Sequence, residues 1–168
     1  ERGSGLKDLH WLDRAADPEK GMTVYIANWQ SCHQANGEGV FAADKTEYTY
    51  AALWGSNSFN DGAGLFRISN FAKYVKYNMP QGTTYKEPLL NDEEAWDVAA
   101  FIISQKRPHI NTPTDWPDIS KKPVDHPFGP YTDAFVEKQH KYGPFKPIVD
   151  EQKQAEDAKQ KSTSVEKK

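Results

Sequence analysis

Trp29-Gln30-Ser31-Cys32-His33 is the stretch on which the reading of this chain turns. A cysteine followed directly by histidine is the second half of the C-x-x-C-H signal for covalent haem attachment. The chemistry behind that signal is specific. A thiolate adds to a porphyrin vinyl group and forms a thioether, and the next residue then lies where its imidazole can bind the iron. Here the first cysteine is absent and Trp29 holds its position. What remains allows one thioether, through Cys32, and one iron bond, through His33. A Cys-His pair alone is a weak signal, and a buried thiol beside a surface histidine is its commoner origin. The residues around it decide the reading.

Composition narrows the field. A chain of 168 residues suits one domain with extensions. Aromatic residues make up 12% of it, although the mean hydropathy is -0.84. A small aromatic-rich core in a hydrophilic chain fits a domain that wraps a large flat cofactor. The net charge of -3 gives no electrostatic case for nucleic acid. No apolar run approaches the ~20 residues that span a bilayer, so no transmembrane segment is expected. A single cysteine excludes an internal disulfide and a second attachment site of the same kind.

Gly21-Met22-Thr23-Val24-Tyr25, followed by Cys32-His33-Gln34-Ala35-Asn36-Gly37-Glu38-Gly39, resembles the N-terminal part of class I cytochromes c. Further on, Asn78-Met79-Pro80 resembles the loop that supplies their second iron ligand. The run Leu53-Trp54-Gly55, then Ser58-Phe59-Asn60-Asp61-Gly62-Ala63-Gly64-Leu65-Phe66-Arg67, resembles a bacterial subgroup that includes the haem domains of thiosulfate dehydrogenases. Members of that subgroup often carry prolines just before Leu-Trp-Gly, where this chain has Ala51 and Ala52. The resemblance covers residues 15–107. It implies an all-α cytochrome c-like domain of a few short helices and one haem c joined through Cys32. The iron would lie between His33 and Met79, with Met79 preferred over Met22. If a proline carbonyl normally orients the ligand histidine, another backbone carbonyl must do so here. Trp54 and Arg67 are candidate donors to the haem propionates, against core packing for the first and a solvated charge for the second.

The local signals place these residues on elements. Asp17-Pro18-Glu19-Lys20 reads as a helix start, with a capping aspartate and proline in the first turn. Met22, Tyr25 and Ile26 follow with helical spacing. Gly21 permits another helix to come close, and the resemblance makes that neighbour the last helix of the domain. Tyr48, Thr49 and Tyr50 suit a short extended piece. Ser69-Asn70 reads as the cap of a helix over 71–77. Asn91-Asp92-Glu93-Glu94 is a capping-box sequence, and it predicts a helix over 95–105 with Trp96, Ala99, Ala100 and Ile103 on one face and Asp97 toward solvent. Lys106 and Arg107 suit the negative end of that helix.

The flanks read differently. Residues 1–16 form a polar leader with a few apolar anchors. From residue 108 to 149 prolines recur among Trp116, Phe128, Tyr131, Phe135, Tyr142 and Phe145, which predicts an ordered arm with a turn or two of regular structure. His10, His126 and His140 read as surface residues. Residues 150–168 carry charges of both signs and are expected to be a disordered tail.

The function these readings imply is a monohaem electron carrier outside the cytoplasm, most simply in the periplasm, and not itself a catalyst. Redox partner proteins would dock on it, with the 108–147 arm as a candidate contact. The chain would be a mature or trimmed form, with any membrane association through a partner or a missing leader. Two alternatives stand beside it: a subunit or haem domain of a thiosulfate dehydrogenase-like enzyme, and a haem-free structural relative.

Overall fold

The structure, a computed structural model, describes residues 7–111 and 115–165. The chain divides into two compact units: residues up to 10 together with 16–115, and residues 11–15 together with 116 onward.

The first unit is all-α apart from one small ribbon. Helix α1 (Pro18–Asn28) starts where the sequence signals it, with the Asp17 carboxylate accepting from the Glu19 and Lys20 amides. The chain bends at Trp29 and makes one further turn, α2 (Gln30–His33), which carries Cys32 and His33. Strands β1 (Val40–Phe41) and β2 (Tyr48–Tyr50) pair antiparallel with an irregularity in register. A 3-10 turn at Gly64–Phe66 leads into α3 (Ile68–Asn78), and α4 (Asp92–Ser104) closes the unit.

Both ends of the capping box on α4 are made: Asn91 accepts from the Glu94 amide and Glu94 accepts from the Asn91 amide. Such caps contribute about 1 kcal/mol. Helix α3 begins earlier than its cap signal suggests. Ser69 lies buried in the first turn, because the preceding 3-10 turn and the buried Ile68 carry the chain straight into the helix.

The core is α1 and α3 packed against α4. Helix α4 is buried nearly all round, with Trp96, Val98, Ala99, Ala100, Ile102 and Ile103 each 0–1% exposed. Burying a large apolar side chain contributes roughly 1.5–3 kcal/mol. On α1 the buried positions are Gly21 and Tyr25, while Met22 and Ile26 stay exposed. The reason is the close approach of α4: a Cβ on Gly21 would lie 1.8 Å from the Asp97 carbonyl oxygen. That approach also corrects the expectation for Asp97. Its side chain is buried and accepts from the Asp17 amide at 2.8 Å, so a carboxylate read as solvent-facing ties α4 to the start of α1. The N-terminal segment contributes too, through buried Leu9 and the His10 carbonyl, which accepts from the Trp96 indole N–H at 3.0 Å.

The first unit runs past residue 107. Asp61 accepts from the Ile110 amide and pairs with the His109 ring at 2.6 Å, and the Pro108 carbonyl accepts from the Asp61 amide.

The second unit contains a 3-10 turn at Ile119–Lys121, helix α5 (Glu137–Tyr142) and helix α6 (Lys146–Val165). His140, read from sequence as a surface residue, is 1% exposed. Its Nδ1 donates to the Val124 carbonyl at 2.8 Å, its Nε2 faces the Asp133 carboxylate at 3.0 Å, and its ring stacks on Tyr131 at 3.6 Å. Trp11 packs on Phe145 at 5.0 Å between ring centres. The expected disordered tail from 150 is helical as far as Val165; residues 166–168 lie outside the described residues. Buried Phe145 and Ile148 anchor the first turn. The Glu, Gln, Lys and Ala residues that follow are strong helix formers.

Gly21→Ala is expected to destabilise the first unit by about 2–3 kcal/mol, because the added methyl has no room between two helix backbones. Gly64→Ala is the control: a Cβ there meets nothing within 4 Å, and its effect should stay within about 0.5 kcal/mol. Denaturant midpoints of the two variants check the contrast.

Candidate functional site

The α1–α2 corner, the β2 strand and the loop after α3 surround one cavity of about 320 Å³. Trp29, Cys32 and His33 line it from the first, Tyr50 and the next residue, Ala51, from the end of the second, and Met79 from the third. Cys32, His33 and Met79, which lie far apart in sequence, thus face a common space.

His33 is held by its surroundings. It is 6% exposed, and its Nδ1 lies 2.7 Å from the Ala51 carbonyl oxygen. A carbonyl only accepts, so Nδ1 carries the proton and Nε2 is left with a free lone pair. Burial pushes the His33 pKa down, with the Ala51 bond opposing in the smaller measure. A neutral imidazole with Nε2 as acceptor is the form that binds a metal. The carbonyl expected from the usual proline position is therefore present, supplied by alanine. Tyr50 stands edge-on to the His33 ring at 6.0 Å.

Met79 caps the C-terminus of α3, where its amide donates to the Val75 carbonyl at 3.0 Å. That bond fixes the point at which the chain leaves the helix and turns along the cavity through Pro80, Gln81 and Gly82. Cys32 is half-buried. Trp29, in the place of a first cysteine, is 2% exposed and forms part of the wall.

The turn after His33 depends on one glycine. Gly37 adopts a φ of 64°, and a Cβ there would fall 2.1 Å from the Trp54 ring. Trp54 lies in an aromatic cluster with Tyr25 at 5.0 Å and Phe101 at 5.6 Å. It does not line the cavity, and neither does Arg67, which precedes α3. The structure does not bring these two predicted propionate contacts to the site. Tyr50 was not singled out by sequence reasoning; the short Tyr48-Thr49-Tyr50 extended piece was the available signal.

The donor set suits haem: an oriented imidazole and a thioether for the iron, and a thiol for covalent attachment. Tyr48, on the same short strand as Tyr50, buries its phenol oxygen without a hydrogen-bond partner among the described residues. A bound polar group would satisfy such a donor, although Tyr48, like Trp54 and Arg67, does not line the cavity.

Fold and cavity together define a helical domain built to hold a redox prosthetic group. The profile of the family described as Cytochrome c matches residues 18–106, and the chain belongs to that family. Its members carry haem c and transfer electrons through the iron. The chain is similar to the thiosulfate dehydrogenase of Allochromatium vinosum, 41% identical over 112 residues, covering 67% of this chain and 40% of that protein. With the thiosulfate dehydrogenase of Thiomonas intermedia it is 42% identical over 63% of this chain and 32% of that one. The solved thiosulfate dehydrogenase (TsdBA) from Marichromatium purpuratum superposes with a TM-score of 0.56 at 35% identity, over 62% of this chain and 21% of that one. The chain thus spans about two fifths or less of the length of these relatives. Among the described residues no helix is long and apolar enough to cross a membrane.

Tyr25 connects the packing to the site, since its hydroxyl donates to the Gln34 carbonyl at 2.6 Å, directly after His33. Burial raises its pKa from 10.0 to about 12. A raised folded-state value means that the neutral phenol's stabilisation is complete below pH 10 and is lost as pH rises through about 12. Tyr25→Phe should cost about 1 kcal/mol at neutral pH and flatten this part of the stability profile. Denaturant unfolding from pH 8 to pH 12 of both proteins checks it.

Proposed function

We propose that this chain is a monohaem c-type cytochrome that passes single electrons between redox partners outside the cytoplasm. The observation that supports it best is the convergence of Cys32, His33 and Met79 on one cavity, with His33 already oriented by the Ala51 carbonyl. When bound, the haem iron supplies the one-electron chemistry. The protein's residues do the rest. Cys32 would hold the macrocycle by a single thioether. His33 would bind the iron, and its Nδ1–H···O bond to Ala51 fixes the ring and would strengthen it as a donor. Met79 would supply the second iron ligand, a soft thioether that favours ferrous iron. Trp29 closes the position of the absent cysteine and excludes water. Trp54 and Arg67 stay candidate donors to the haem propionates, although neither lines the cavity. The aromatic segment after residue 108 is the candidate contact for a partner protein.

A second reading follows from the relatives. Identities of 36–42% to curated thiosulfate dehydrogenases, over a third or so of their length, support a haem domain or subunit of an enzyme of that kind. The electron-transfer role of the domain is common to both readings. They differ in whether thiosulfate is oxidised on the same assembly.

Three measurements test these readings. The pyridine haemochrome band of the purified protein should fall between those of two-thioether haem c and haem b, and acidic acetone should leave the haem on the chain. Complete extraction would remove the thioether from the proposal, and absence of any haem would leave the structural-relative reading. The ferric protein should show the near-infrared charge-transfer band of an iron–thioether bond, and Met79→Ala should abolish it; a band that persists would move the distal ligand elsewhere. Turnover of thiosulfate or tetrathionate by the chain in its native assembly, lost when this chain is removed, would favour the enzyme-domain reading.

A further inference from the structure

Arg107 was read from sequence as a basic residue that suits the negative end of α4. The structure folds it inward. Its guanidinium lies between two aromatic rings, 4.3 Å from the Phe59 centroid and 5.1 Å from that of Phe66. One amino group donates to the Ile102 carbonyl at 2.6 Å, and the other makes longer contacts to the carbonyls of Leu53 at 3.4 Å and Phe59 at 3.5 Å. Its Nε is buried. Burial pulls its pKa down to about 10, with Asp61 opposing, so the group stays cationic at neutral pH.

These contacts tie the end of α4 to residues 53–59. The same segment is gripped beside it: the Gly55 amide donates to the Lys106 carbonyl at 2.8 Å, and the Leu53 amide donates to the Gly37 carbonyl at 2.8 Å. Leu53 is two residues from Ala51, whose carbonyl holds His33. The turn that contains Gly37 starts at His33 itself, whose own carbonyl accepts from the Gly39 amide. The carbonyl that orients His33 therefore belongs to a short segment with no regular secondary structure between Ala51 and Gly55. Its position is set by α4 on one side and the 33–39 turn on the other.

We propose that Arg107 is a positioning residue for His33: by clasping the 53–59 segment to the end of α4, its guanidinium fixes the Ala51 carbonyl that orients the imidazole. The inference rests on the reading of His33 as the iron ligand. A planar fork between two rings can hold three carbonyls at once. A lysine ammonium keeps the charge but cannot reproduce that geometry.

The test uses the haem-loaded protein and two variants. Arg107→Lys keeps the charge and removes the fork. Val98→Ala shortens a fully buried side chain of α4 and serves as a control for loss of stability alone. The readout is hydrogen exchange of the His33 Nδ1–H, followed by NMR in the ferrous state, together with the reduction potential. Arg107→Lys should speed that exchange about tenfold or more relative to the parent, and shift the potential upward as His33 becomes a weaker donor. Val98→Ala should do neither at matched loss of thermal stability. If Arg107→Lys fails to fold, Phe59→Leu removes one face of the clasp and should speed the exchange in the same direction. Exchange in the tested clasp variant no faster than in Val98→Ala would overturn the proposal. The same ferrous spectra show separately whether the His33 ring protons carry the large ring-current shifts of a haem ligand, so a failure of that reading is distinguishable from a failure of this one.

Discussion

The crossing of α1 and α4 at Gly21 is the constraint from which the rest of the first unit follows. With no Cβ at that position, the α1 backbone comes within contact of the Asp97 carbonyl. Asp97 can then reach the Asp17 amide, and Tyr25, one turn along, meets Phe101 and Trp54. Tyr25 in turn holds the Gln34 carbonyl. The turn that leaves His33 is thus anchored to the helix pair rather than left to its own loop. A larger residue at Gly21 would move the anchors of the site along with the core.

The cavity depends on surroundings that are mostly irregular backbone. Its histidine comes from a four-residue helix, its carbonyl acceptor from a segment after a three-residue strand, and its methionine from a helix end. None of these would hold a geometry alone, since short elements cannot offset their own ordering entropy. They are held because each is tied to α1, α3 or α4 by a named hydrogen bond or a buried ring. This suits electron transfer, where a redox centre works best when its ligands move little between oxidation states.

The second unit solves a different problem. Its prolines prevent long regular elements between residues 116 and 136, so its packing depends on side chains. His140, stacked on Tyr131 and bonded to the Val124 carbonyl and Asp133, is the centre of that arrangement. Lys122 reinforces the same turn by donating to the Phe128 and Pro130 carbonyls. The chain covers only part of the length of the thiosulfate dehydrogenases to which it is similar.

Much of this protein was legible in one dimension because its signals are local. Asp17 with Pro18, and Asn91 with Glu94, mark helix starts through hydrogen bonds that span two or three residues, and the helices begin there. Cys32 and His33 are adjacent, so the haem-attachment signal they carry needs no fold to be seen. The family resemblance added Met79, and the cavity places it with the other two. Most of the misreadings concern polar or charged groups whose partners are distant in sequence. Asp97 was expected in solvent and bonds the Asp17 amide; Arg107 was expected to cap a helix end and also reaches Leu53 and Phe59; His140 was expected on the surface and is enclosed. Helix α6 extends through residues whose composition had suggested disorder, because Phe145 and Ile148 anchor its first turn. Sequence alone determined where the helices start, since capping acts over a few bonds, and it pointed to the residues proposed to hold the haem, since the attachment signal is equally local. Only the tertiary structure decided which charges are buried and which carbonyl holds the histidine, because a buried polar group is stable only where the fold delivers its partner.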